Sequence, residues 1–109
     1  MSANTITISG NLTADPDLRH TGTGTSVANF TVADTPRFQD PNTGEWRDGE
    51  PLFHRVVAFG DLADNITETL GRGSAVIVTG RLTQKSYKTD GGDTPQYTEI
   101  RAEDIGASL

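Results

Sequence analysis

The 109-residue chain has no cysteine, one tryptophan and one methionine, and aromatic residues make up only 6% of it. Without cysteine there is neither a disulfide framework nor a thiolate metal site. No apolar run approaches the ~20 residues a membrane helix needs. The N-terminus, Met1-Ser2-Ala3-Asn4-Thr5, has neither the charged nor the apolar region of a signal peptide. The chain is therefore expected to be soluble, intracellular and cytoplasmic. Gly22-Thr23-Gly24 lacks the lysine and following helix of a phosphate-cradling loop. With two histidines, His20 and His54, and no supporting motif, no Ser-His-Asp arrangement can be assembled. Asp15 and Asp17 flank Pro16, and Asp61 opens a helix, so no carboxylate pair is placed near a nucleophile. No catalytic residue, metal or cofactor is expected.

What is present suits one small domain. Hydrophobic residues make up 33% and charged residues 22%, modest for a globular chain but above a disordered composition. Twelve glycines and five prolines point to many turns and hence mostly to strands. The net charge of −6 argues against a polyanionic ligand. Its distribution argues less strongly, because the stretch from Arg81 to Lys88 contains no acid. An ordinary acidic protein fits the charge taken alone.

Hydrophobic periodicity predicts a first strand over Asn4 to Leu12, with Ile6 and Ile8 on one face and Gly10 at a bulge or a close backbone approach. Asp15-Pro16 and Gly22-Thr23-Gly24 read as turns. Thr25 to Asp34 reads as the second strand. The differing parities of Val27 and Val32 imply a bulge or burial of both faces. Residues 35–51 form the longest irregular stretch, rich in Pro and Gly, and Asn42-Thr43-Gly44 suits the tip of a long hairpin with Phe38 and Trp46 on its arms. The third strand, Leu52 to Phe59, alternates strictly. A helix is expected over Asp61 to Leu70, with Asp61 as N-cap and Leu62, Ile66 and Leu70 as its apolar stripe. Ser74 to Lys88 reads as a long strand, with Val76, Val78 and Leu82 on one face and Arg81, Lys85 and Tyr87 on the other. The turn Asp90-Gly91-Gly92-Asp93 and a last strand over Gln96 to Ile105 follow. This order of three strands, a helix and two strands is that of an all-β, five-stranded Greek-key OB-fold barrel with its helix between strands 3 and 4. Other small barrels share most of it.

The third strand is the most informative segment. Phe53, Arg55, Val57 and Phe59 fall on one side, and His54, Val56 and Ala58 on the other. Two aromatics and a guanidinium make a poor dry core but suit a surface that stacks bases and neutralises phosphates. Phe38, Phe53, Phe59 and Tyr87 are the candidate stacking residues. A lone Phe is ordinarily a core residue, and Phe30, without a basic neighbour of its parity, keeps that role. Trp46 has two readings, as a stacking ring or as a cap on the base of the long loop. Arg19, Arg37, Arg55, Arg72, Arg81, Lys85 and Lys88 are the candidate phosphate contacts, Arg72 the weakest of them. Singly each is an ordinary surface charge, and the case rests on their interleaving with aromatics. His54, on the opposite face from Phe53, is a candidate for a subunit interface, and His20 reads as plain surface.

At these residues the chain resembles the bacterial single-stranded DNA-binding proteins. Gly10-Asn11-Leu12 with Asp15-Pro16 and Arg19 is similar to the family's opening signature, and Val27-Ala28-Asn29-Phe30-Thr31-Val32-Ala33 to its second strand. The segments Phe53 to Gly60 and Gly73 to Leu82 resemble its most characteristic segment and its fourth strand. Asn42-Thr43-Gly44-Glu45-Trp46 resembles the long-loop form of actinobacterial members. The resemblance spans most of residues 1–109, taken as one OB-fold domain. It implies a homotetramer that wraps single-stranded DNA without sequence preference in replication, recombination and repair, and that does no bond chemistry. It places Phe38, Phe53, Phe59 and Tyr87 against bases and His54 near a subunit interface. It implies a nucleoid-associated protein, or one in a host cytoplasm if phage-encoded. Family members usually end in an acidic, Phe-terminated tip that recruits repair proteins. This chain ends at Ile105-Gly106-Ala107-Ser108-Leu109, so tail-borne recruitment is not expected of it. Phe53 and Tyr87 stand where the family often has tryptophan. The competing reading is an OB-fold protein-interaction or replication-accessory module that binds DNA weakly, which the acidic charge favours.

Overall fold

The computed structural model describes residues 4–86, 89–92 and 94–109. Its elements are β1 (Thr5–Leu12), β2 (Asp17–His20), β3 (Ser26–Asp34), β4 (Arg37–Gln39), β5 (Trp46–Asp48), β6 (Leu52–Phe59), α1 (Asp61–Thr69), β7 (Ala75–Ser86) and β8 (Gln96–Ala107). Six strands form one sheet in the order β1-β7-β8-β6-β3-β2, and β1 also pairs with β3, which closes the sheet into a barrel. Among the described residues only β6 and β8 run parallel. β1, β3, β6, β7 and β8 are the five strands of the expected OB-fold.

Period-2 alternation fills this barrel. Ser26, Ala28, Phe30 and Val32 of β3 point inward, as do Val56 and Ala58 of β6, Val76 and Val78 of β7, and Ile100 and Ala102 of β8. Phe30 is a core residue, 7% exposed. No bulge separates Val27 from Val32: Val27 lies on the outer face, paired with Arg19 on one side and Phe59 on the other. α1 sends Ala63 and Ile66 into the core, with Leu62 and Leu70 packed partly against it.

Several expectations are corrected. β2 was not foreseen; its four residues carry one inward apolar side chain, Leu18, too little for a periodic signal. Asp61 is not the N-cap of α1. That place belongs to Gly60, whose φ of 66° suits glycine, while Asp61 and Asp64 lie in the first turn, where the helix dipole favours negative charge. Leu82 does not share the core with Val76 and Val78 but is 42% exposed. The register shifts between Thr79 and Gly80, leaving Glu103 as an extra residue on β8, and past Arg81 of β7 and Ile100 of β8, the last residues paired with β1 and β6, the β7–β8 ribbon leaves the barrel. β8 runs two residues further than predicted, to Ala107. Of the predicted β7–β8 turn, Asp93 lies outside the described residues.

Gly10 marks the barrel's seam. Next to it, Asn11 pairs with both Ala75 of β7 and Ala33 of β3, so β1 changes partner here. A Cβ on Gly10 would overlap the carbonyl oxygen of Ala33, which is backbone and cannot rotate away. Gly10→Ala is expected to lower stability by about 1–3 kcal/mol. The check is the urea midpoint, with Gly22→Ala, whose Cβ meets open space, expected to leave it unchanged.

Candidate nucleic-acid interface

The outward rows of five strands make one continuous face. β6 contributes Phe53, Arg55, Val57 and Phe59. Opposite them on β3 stand Ala33, Thr31, Asn29 and Val27. β2 extends the row with Arg19 beside Val27 and Asp17 beside Asn29. On the other side Arg101 of β8 pairs with Val57. β7 then places Arg81 opposite Arg101, Thr83 opposite Glu99 and Lys85 opposite Tyr97. Phe53 is 63% exposed and Phe59 38%, while their strand neighbours Val56 and Ala58 are buried. The face predicted from β6 alone is therefore the outer surface of the barrel.

Two guanidinium–aromatic stacks lie on it. Arg101 sits 4.4 Å from the ring centroid of Phe59, and Arg55 sits 4.4 Å from that of Tyr97. Next to the second stack, Asn29, Thr31 and Glu99 line a shallow groove between β3, β6 and β8. Tyr97 and Arg101 were missed in the sequence. Their signal was the hairpin itself, since Lys85 and Tyr97, like Arg81 and Arg101, pair at equal distances either side of Gly91.

The predicted long loop contains the β4–β5 hairpin, with Phe38 and Trp46 on its two arms. Phe38 pairs with Arg47 and Trp46 with Gln39, so successive register positions send the two rings to opposite faces. Both are open to solvent, Phe38 at 49% and Trp46 at 61%, which leaves Trp46 as no cap on the loop's base. The Arg37 guanidinium lies 6.0 Å from the Trp46 ring centroid. Asp40 fixes the tip: its Oδ1 accepts the Asn42 N–H at 2.8 Å and its Oδ2 meets Arg47 at 3.3 Å.

The predicted cations divide. Arg55, Arg81 and Lys85 lie on the face, with Arg19 at its β2 edge and Arg37 on the hairpin. Arg72 lies in the turn between α1 and β7, on none of these strands, its backbone N–H donating to Asp15 Oδ1 at 2.8 Å. Tyr87 and Lys88 lie outside the described residues. The acid-free stretch that begins at Arg81 is not acid-free in space: Glu103 of β8 meets Arg81 at 3.4 Å. Arg19 meets Asp17 at 3.1 Å and Arg37 meets Asp48 at 3.6 Å. His54 is half-buried on the opposite row from Phe53, paired with Val32. Among the described residues no group of three His, Cys, Asp or Glu side chains is placed to hold a metal ion.

Residues 3–108 match the single-strand binding protein family. The chain belongs to that family. It is 54% identical over 105 residues to the single-stranded DNA-binding protein of Mycolicibacterium smegmatis, covering 96% of this chain and 64% of that one. It is 49% identical over 105 residues to the corresponding protein of Paenarthrobacter aurescens, covering 96% of this chain and 61% of that one. The chain thus spans a little under two thirds of these relatives' length. The crystal structure of a small single-stranded DNA-binding protein from Streptomyces coelicolor superposes with a TM-score of 0.84 at 31% identity, covering 100% of this chain and 97% of that one. The Plasmodium falciparum SSB complex with ssDNA superposes with a TM-score of 0.86 at 28% identity, with the same coverage. Membership accounts for the closed barrel with one helix between β6 and β7. Among the described residues no helix is long and apolar enough to cross a membrane.

Proposed function

We propose that this family member binds single-stranded DNA without regard to sequence and protects it during replication, recombination and repair, with no bond chemistry of its own. The observation that carries this reading is the outer face, where exposed Phe53 and Phe59 share five strands with Arg19, Arg55, Arg81, Lys85 and Arg101. Rings stack on bases of any identity and cations follow the backbone. The relatives' names and the ssDNA-bound Plasmodium structure support it. Phe38 and Trp46 on the projecting hairpin extend the stacking set, and Tyr87 and Lys88 keep the roles their sequence positions suggest. The working form is a homotetramer in the cytoplasm, with His54 at a subunit interface.

The test is fluorescence anisotropy with labelled oligo-dT and with duplex DNA of equal length, at low and moderate salt. Tight, salt-weakened binding of the single strand but not the duplex is expected. No binding even at low salt would leave a protein-interaction module, the reading that the acidic net charge favours. Arg101→Ala is expected to lower the salt slope by about 0.7, the share of one single-strand phosphate. Arg72→Ala, off the face, is expected to leave that slope unchanged.

A further inference from the structure

The arginines of the outer face are already engaged. Arg55 and Arg101 lie on rings, whereas Arg81 is paired with Glu103 and Arg19 with Asp17. On the hairpin, Arg37 is paired with Asp48. The register puts Asp17 beside Asn29, on the β2 edge of the face. Glu103 is the extra residue of the β8 bulge, and with Arg81 and Arg101 it lines a shallow depression.

Such pairs are weak. In the Arg81–Glu103 pair the side chains are 59% and 52% exposed, so a phosphate displaces the carboxylate at little cost. The carboxylate nevertheless stays on the face, a few ångströms from the phosphate that replaced it. Two unit charges 4 Å apart in water weaken binding by about fivefold. A single strand has rotatable backbone and free bases. It can place its phosphates on Arg55 and Lys85, with which neither Asp17 nor Glu103 is paired, and it gains from stacking on Phe53 and Phe59. A duplex offers the rings no exposed base faces. Its phosphates are fixed in spacing and dense, one charge per ~1.7 Å of axis, so it meets the acids wherever it meets the arginines.

We propose that Asp17 and Glu103 are selectivity residues, which hold down the affinity of double-stranded DNA more than that of single-stranded DNA by remaining beside the arginines both would use. Specificity is a difference of affinities, and repulsion of the wrong ligand contributes to it as much as attraction of the right one. The inference rests on the single-strand reading above and adds to it which residues exclude the duplex.

The experiment compares the whole chain with Asp17→Asn/Glu103→Gln, both substitutions isosteric and exposed, for binding to labelled oligo-dT and to duplex DNA of equal length. Melting curves verify the fold. At low salt the duplex is expected to bind about tenfold or more tightly to the variant, and oligo-dT to gain about threefold or less, with both gains shrinking as salt screens the charges. Equal gains for the two ligands, or no gain for either, overturn the proposal. Glu68→Gln, exposed on α1 and not on the face, is compared with Glu103→Gln alone, which removes the same single charge. If it shifts duplex binding equally, net charge and not position is responsible, and the proposal falls. Failure of the unsubstituted chain to bind oligo-dT is a different result, which removes the single-strand reading itself.

Discussion

Phe53→Ala/Phe59→Ala is expected to weaken oligo-dT binding by two to three orders of magnitude while leaving the fold intact. Stacking contributes about 1–3 kcal/mol per base, and a tenfold change in affinity is about 1.4 kcal/mol. The two rings lie six residues apart on one face of β6, far enough for their losses to add in large part. Phe53 is 63% exposed and supports no core, so its truncation removes little buried area. Phe59 is half covered, with Arg101 on its ring, and its loss is expected to be the more visible of the two in a melt. The readout is a binding isotherm beside a urea titration. Unchanged affinity together with a large drop in the urea midpoint would make these rings packing residues and remove the stacking assignment.

The opposite outcome is expected one residue away from Arg101. Ile100 points into the barrel, 2% exposed, and is paired with Val56 on β6 and Leu82 on β7. Ile100→Ala leaves a cavity between strands held on both sides, so it is expected to lower stability by about 2–5 kcal/mol. Its m-value should stay unchanged, because the same surface is exposed on unfolding. The folded fraction should bind DNA with the original salt slope. Ile100→Ala and Arg101→Ala together separate core from surface within adjacent residues of β8, as the alternation of a strand demands.

That alternation is also what made the site legible. On β6 the sequence alone separates Phe53, Arg55, Val57 and Phe59 from His54, Val56 and Ala58, and the structure keeps the separation. Strand order with one helix pointed to the OB-fold, though other small barrels share most of that order. Its family followed from short segments such as Phe53 to Gly60. Local signals failed where the partner is distant. Glu103 lies well beyond the acid-free stretch, yet the β8 bulge sets it against Arg81. Tyr97 and Arg101 acquire meaning only when β8 lies beside both β6 and β7. Leu82 keeps the parity of a core residue, but the barrel has ended before the strand does. Asp61 has a good capping side chain, yet the sharp entry from β6 needs a positive φ, which Gly60 provides. In each case tertiary geometry decided what the local residue type left open.

The seam at Gly10 also bears on how the chain comes to be folded. Among these strands β1 leaves the ribosome before the others, but its longest register, Thr5 to Asn11, is with Arg81 to Ala75 of β7. Its earlier partner, β3, offers it only Ala33 and Val32. β1 must therefore wait, unpaired along most of its length, until β7 has emerged. Loop closure over such a span is slow compared with forming a hairpin. Exposed Thr5, Thr7 and Ser9 alternate with Ile6 and Ile8 along this waiting strand, which keeps it from being an apolar edge open to a neighbouring nascent chain.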